Sequence, residues 1–265
     1  MTSKERNIKI YKSAINYLEQ ITPEGIDLDY YYSSDTEDVR SMEDLFRRFI
    51  LSAQNYQQMP NVIAFQKRET EISELLYDNN LEKISKLSYD DLYSQFRKAF
   101  NVTSADTKHN SWYKWSCSVI DSARFLIQFK TVKDFDTFVK GFDYNPLSQI
   151  ALPLLIQSQI KGIGFALACD LLKELGYENY PKPDVHILDV FTELNLCENN
   201  QMAAFLTIRQ MADDCKETDT TVTAYKIDKI FWLICSGFYY NENPPVRIKR
   251  HKKEFIQYMK GIISY

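Results

Sequence analysis

At 265 residues the chain is long enough for one large domain or two modest ones. Apolar residues make up 45%, which excludes global disorder, and 7 Gly with 8 Pro are too few to punctuate an all-β chain, so composition points to helices. The net charge of -4 excludes a protein held on nucleic acid by bulk positive charge, while leaving room for a local basic patch.

Helical periodicity recurs along most of the chain. An opening helix is predicted near 4–20, with Ile8, Tyr11, Ile15 and Leu18 on one face. The stretch 22–41 holds Pro23, Gly25, three tyrosines and the acidic run 33–38, and reads as a connecting loop. A second helix starts near Met42 and carries Leu45, Phe49 and Ser52. Pro60 interrupts, and another helix follows through Leu76. Ser88, three residues before Asp91, gives a capping signal for a helix ending near Phe100. Over 111–129 one stripe holds Trp112, Trp115, Val119, Ala123 and Leu126, and the two tryptophans read first as core. Short helices are predicted over 133–141 and 147–158, then a Gly-Ile-Gly turn, then a helix over 165–175 that Gly176 stops. A further helix follows Pro183 with Ile187, Val190, Phe191 and Leu194, and helices over 221–239 and 244–262 close the chain. The predicted fold class is all-α, with about a dozen helices and no strand pair.

Five cysteines, at 117, 169, 197, 215 and 235, include no CxxC pair, which argues against a zinc site or a cysteine-ligated cluster. The N-terminal Met-Thr-Ser-Lys-Glu-Arg is polar, with no apolar signal core behind it, and no run of 18 apolar residues exists. An intracellular protein, cytoplasmic or nucleoid-associated and without a membrane partner, is expected. The densest basic patch is Arg247, Lys249, Arg250, His251, Lys252 and Lys253, which reads equally as a solvated helix start or a phosphate contact.

Two features carry chemistry. In Lys161-Gly162-Ile163-Gly164 the glycines allow a tight turn with positive φ and remove side chains that would block close approach. The next helix starts there, and its first N–H groups suit an anion such as a phosphate. Twenty residues on, Asp184 stands in Pro183-Asp184-Val185-His186 before an amphipathic helix. Asp184 reads as an N-cap for His186 or Ile187. A carboxylate held at such a point also suits an oxocarbenium-like transition state, by stabilising the cation or orienting a water.

With these residues in place, the chain resembles the helix-hairpin-helix (HhH-GPD) DNA glycosylase superfamily, in its endonuclease III-like branch. The family pattern is Leu-Pro-Gly-Val-Gly, a helix, then Val-Asp-x-His; here it is Ile160-Lys161-Gly162-Ile163-Gly164, then Pro183-Asp184-Val185-His186. Ile50-Leu51-Ser52-Ala53-Gln54 is similar to the branch's Leu-Ser-Ala-Gln. Trp232-Leu233-Ile234 with Gly237 and Tyr239 is similar to its Trp-Leu-Ile-x-x-x-Gly-x-Tyr. The matches fall in the family's order and span roughly 42–240.

The resemblance implies two helical lobes flanking a cleft. One is a barrel-like lobe over 40–178 that ends in the helix-hairpin-helix. The other is 179–265, carrying Asp184, with 1–39 packed against it. It implies a monomer that binds bent double-stranded DNA with one base flipped out, contacted by Lys161, Gly162, Ile163 and Gly164. Gln54 would fill the gap in the duplex, while its residue-level reading is a buried or surface polar residue. Tyr31, Phe49, Trp112 and Trp115 are candidates for a base pocket. Bifunctional members carry a nucleophilic lysine two residues after the second glycine; this chain has Ala166 there, with Lys161 and Lys182 as the nearby substitutes. A glycosylase without lyase activity is therefore expected, with Asp184 assisting water at C1′ and His186 structural. The family's four-cysteine loop has no counterpart in Tyr239-Tyr240-Asn241-Glu242-Asn243-Pro244-Pro245, so no iron–sulfur cluster is expected. Hairpin carbonyls could hold a cation, as in relatives, and no side-chain metal site is expected. Two other readings stay open: an N-glycosidase of a modified nucleoside or nucleotide, and a non-catalytic DNA-binding relative.

Overall fold

The structure is a computed structural model that describes residues 2–32, 39–56 and 59–263. The acidic part of the expected 22–41 loop, residues 33–38, lies outside the described residues. Those residues form fifteen α-helices, one 3-10 turn and a two-residue antiparallel strand pair, so the fold is all-α. The chain divides into two compact units, Met1–Asp35 with Leu172–Tyr265, and Thr36–Leu171.

The unit Thr36–Leu171 is built around α8 (Ser111–Leu126), which packs against α3 (Met42–Ala53), α4 (Met59–Ile63), α6 (Leu81–Ser85), α7 (Tyr89–Ala99) and α10 (Pro146–Gln159). Neighbours on several sides explain why α8 is buried almost all round rather than along one stripe. Trp112 and Trp115 are core, as read. Trp112 stacks on Phe100 with centroids 4.9 Å apart, and Trp115 donates its indole N–H to the Ile50 carbonyl at 2.9 Å. Ser41 and Ser88 cap α3 and α7 through their hydroxyls. The single helix expected between Pro60 and Leu76 is three pieces: α4, the turn Phe65–Lys67 and α5 (Glu69–Leu75). Left-handed Ala64 separates the first two, and Pro60 sits inside the first turn of α4, where a missing N–H is harmless. The unit is completed by α9 (Val132–Lys140) and the start of α11 (Phe165–Glu174).

The second unit is built around α14 (Ala224–Ser236), which packs against α1 (Ser3–Ile21), α2 (Asp29–Tyr32), α12 (Val185–Glu193), α13 (Gln201–Lys216) and α15 (Lys252–Ile263). Its core holds Leu18, Ile187, Phe191, Ile208, Phe231 and Phe255 among others. Helix α13 is absent from the predicted elements, although Ala204, Ile208, Met211 and Cys215 mark its buried face and Asn200 caps it. The closing helices are shorter than read. Gly237 at φ +61 ends α14, where a Cβ would lie 2.7 Å from the Ile248 carbonyl oxygen. The chain then pairs β1 (Phe238–Tyr239) with β2 (Val246–Arg247), a strand pair not expected from the sequence. Gly176, at φ +90, follows α11 in the left-handed conformation expected of it.

Candidate active site

The hairpin lies between α10 and α11. Gly162 has φ +87, and a Cβ there would sit 2.5 Å from Ser118 Oγ, so glycine is required twice over. Ser118 donates its hydroxyl to the Lys161 carbonyl at 2.6 Å and fixes the turn against α8. The Lys161 N–H donates to Asp121 Oδ2 at 3.2 Å, and buried Asp121 also accepts from the Tyr89 hydroxyl at 2.6 Å. Gly164 differs from expectation. Its φ is not positive, and a Cβ there would meet nothing within 4 Å. Among the described residues no contact demands glycine at 164, and the residue leaves space beside the α11 N-terminus.

The Lys161 ammonium lies 4.3 Å from the centroid of the Tyr89 ring, and its hydrogen bond with Tyr89 pushes its pKa up, so it stays charged. Ile163 is buried and pins the turn to the unit's core. A groove of about 490 Å³ opens beside the hairpin, lined by Ile160–Gly164 together with Tyr56, Lys114 and Gln157. Lys114 sits on the largely buried α8 with its ammonium 5.9 Å from the centroid of the exposed Tyr56 ring. Sequence reading did not single out these three residues, because nothing in their spacing separates them from ordinary surface positions.

Asp184 lies in the other unit and caps α12. Its Oδ1 accepts from His186 N at 2.8 Å and Ile187 N at 3.2 Å. Oδ2 takes no hydrogen bond among the described residues. The Asp184 N–H donates to the Lys182 carbonyl at 2.8 Å, which closes the turn around Pro183. Half-burial and then the nearby Asp228 carboxylate push the Asp184 pKa above the usual carboxylate range, against the opposing pull of Lys182, His186 and the Ile187 amide. Burial holds the His186 imidazole below its usual pKa, and its Nδ1 is buried without a hydrogen-bond partner.

Beneath this turn lies a buried ion pair that the sequence reading missed. Lys173 Nζ donates to Asp228 Oδ2 at 2.7 Å, with the side chains only 5% and 1% exposed. The same Oδ2 accepts the Lys182 N–H at 3.0 Å. A signal existed: Asp228 is a carboxylate at a core position between Ile227 and Phe231, and Lys173 follows Leu171-Leu172 on a helix that is otherwise mostly apolar.

Other expectations fare differently. Gln54 is buried, and its Oε1 accepts the Phe65 N–H at 3.1 Å, so a role in filling a duplex gap requires that bond to break. Tyr31, Phe49, Trp112 and Trp115 are all buried in the cores of their own units, where none offers an exposed ring to a base. Ala166 leaves no amine at the position two residues after Gly164. In the basic patch, Lys249 pairs with Glu254 at 2.6 Å, Lys252 with Asp189 at 2.5 Å, and Arg247 lies 3.7 Å from the Phe238 centroid. Arg250 and Lys253 remain exposed. All five cysteines are reduced, and no cluster of His, Cys, Asp and Glu suited to a metal occurs among the described residues. No described helix is long and apolar enough to cross a membrane.

No protein-family model and no curated protein matches the chain. Among solved structures it is similar to the 8-oxoguanine glycosylase/lyase of Methanocaldococcus jannaschii, in complex with a 15mer DNA containing 8-oxoguanine. Identity is 16% and the TM-score 0.49, over 83% of this chain and 95% of that one.

Proposed function

We propose that the chain is a DNA N-glycosylase without lyase activity, which removes a damaged, modified or mismatched base from a flipped nucleotide. The observation that carries this reading is Asp184, held by two backbone N–H groups through one oxygen, with no hydrogen bond to the other oxygen among the described residues and its proton affinity raised. A carboxylate so fixed is a better base than an ordinary aspartate and needs no reorganisation to face a developing cation.

In this mechanism the bond from C1′ to the base nitrogen breaks, and its electron pair leaves with the base. Asp184 stabilises the cationic sugar, then accepts a proton as water adds to C1′. The hairpin serves as a phosphate clamp, through the first N–H groups of α11 and the charged Lys161. Gly164 supports this role, since a side chain there would obstruct only something approaching from outside. Ala166 supports hydrolysis by water, since a methyl group cannot form a Schiff base. Gln54, released from Phe65, is the proposed wedge.

The test is binding of an abasic-analogue duplex across a salt series. Tight binding that weakens with salt supports a DNA substrate. The net charge of -4, together with the pairing of Lys249 and Lys252, favours as the second reading a nucleoside or nucleotide N-glycosidase. Absence of duplex binding at low salt, with base release from free nucleosides, would select it.

A further inference from the structure

The buried pair beneath the Asp184 turn has no evident purpose in stability. Taking two charges out of water costs about as much as their attraction returns, and well-packed apolar residues do as well. Yet α14, buried on most sides, carries Asp228 at 1% exposure, and α11 carries Lys173 at 4%. The geometry around them is specific. Asp228 Oδ2 receives both the Lys173 ammonium at 2.7 Å and the Lys182 N–H at 3.0 Å. The Lys182 carbonyl in turn receives the Asp184 N–H at 2.8 Å. One carboxylate on the central helix therefore grips the residue two places before Asp184, and that residue grips Asp184.

We propose that Asp228, charge-balanced by Lys173, is the positioning residue for Asp184: it anchors the Lys182–Asp184 turn and sets the electrostatic field at the Asp184 carboxyl. The proposal rests on the reading of Asp184 as the working carboxylate. Among the described residues Asp228 Oδ1 is buried without a hydrogen-bond partner, and the charge of this carboxylate acts on Asp184. That charge raises the proton affinity of Asp184, second only to burial. The other groups facing Asp184 are Lys182 from its own turn, His186 from α12 and the Cys235 thiol from α14. Lys252, Arg250 and Asp189 act on His186, and Lys252 and Asp189 on Cys235.

Two substitutions separate anchoring from field. Asp228→Asn keeps an oxygen for the Lys182 N–H and removes the charge. Lys173→Met keeps the carboxylate and removes its counter-charge. The experiment is carboxyl 13C NMR titration of the full chain, with the Asp184 signal assigned by its loss in Asp184→Asn, alongside the pH profile of base release. The expected result is a pair of opposite shifts: the Asp184 midpoint falls in Asp228→Asn and rises in Lys173→Met. The acidic limb of base release moves with it. If either single variant fails to fold, the double variant Lys173→Met/Asp228→Asn buries no unpaired charge of this pair and should lower the midpoint. An Asp184 midpoint that does not move in Asp228→Asn, or in the double variant where that is the one that folds, overturns the proposal. The NMR midpoint does not need turnover, so the outcomes separate. Shifted midpoints with base release retained in Asp184→Asn sink the reading of Asp184 as the working carboxylate and leave the positioning intact. Unmoved midpoints with base release lost in Asp184→Asn do the reverse.

Discussion

Replacing Asp184 should divide its structural work from its charge. Asp184→Asn retains a side-chain oxygen for His186 N and Ile187 N, now at 2.8 and 3.2 Å, and asparagine caps helices as well as aspartate does. What it removes is a carboxylate whose pKa in the fold is raised, first by burial and then by Asp228. A group with a raised folded pKa favours the native state most below its unfolded pKa, about 3.9 for aspartate. That contribution is lost as pH rises through the folded value, so ionised Asp184 weighs against folding at neutral pH. The N-terminal helix dipole favours the anion by about 0.3–1 kcal/mol, but the upward direction of the shift says that burial and repulsion outweigh it. Asp184→Asn is therefore expected to melt at or above the wild-type temperature at pH 7, with the difference vanishing below about pH 4. Asp184→Ala loses both cap bonds and should cost about 0.5–2 kcal/mol below about pH 4, or about 2–4 °C of Tm per kcal/mol, and less at pH 7, where the ionised carboxylate it also removes weighs against folding. Differential scanning calorimetry of the three proteins from pH 3.5 to 8 measures this. If Asp184→Asn loses as much as Asp184→Ala at pH 7, the carboxylate is an ordinary stabilising cap, and the argument for a strained, functional one fails.

The two hairpin glycines should behave differently from each other. Gly162→Ala forces a Cβ to 2.5 Å from Ser118 Oγ at φ +87, and should destabilise by about 1–3 kcal/mol in denaturant unfolding. Gly164→Ala should stay within about 0.5 kcal/mol of wild type while weakening duplex binding about tenfold or more by obstructing a charged hydrogen bond. Equal loss of stability in both would remove the case that Gly164 faces a ligand. Borohydride added during reaction with a lesion duplex should trap no covalent adduct, because position 166 is alanine; an adduct mapped to Lys161 or Lys182 would show that another amine has taken over. Burial pushes the Cys215 and Cys235 thiols up to about 12, so iodoacetamide at pH 8 should label half-buried Cys197 first and reach those two only after unfolding. Early labelling of native Cys235 would show that the core around α14 opens beside Asp184.

Helices that bury one face were legible. The caps at Ser88 and Asp184 and the stop at Gly176 stand where residue chemistry puts them. What escaped has physical causes. Breaks inside 59–75 depend on left-handed Ala64, a conformation that alanine does not announce. The β1–β2 pair is two residues long and rests on close backbone approach at Gly237, too short for alternation to show. At the candidate site, the turn and the cap could be read because glycine and aspartate have few alternatives there. Lys173 and Asp228 each stand out as a charge at a core position, but their pairing could not be read, because the two residues stand 55 positions apart and only folding brings them together. The aromatic pocket candidates failed for a simpler reason: large rings in helical stripes go to the core first.

The central claim is that Asp184 drives hydrolysis of an N-glycosidic bond in DNA. The direct measurement is mass spectrometry of free base released from a panel of duplexes, each carrying one lesion or mismatch, by wild type and by Asp184→Asn matched for fold by circular dichroism. The account predicts release of one class of base with the strand left uncut, falling by about 10²–10⁴-fold in the variant. Release that is unchanged in Asp184→Asn, or no release by wild type from any duplex, would contradict it.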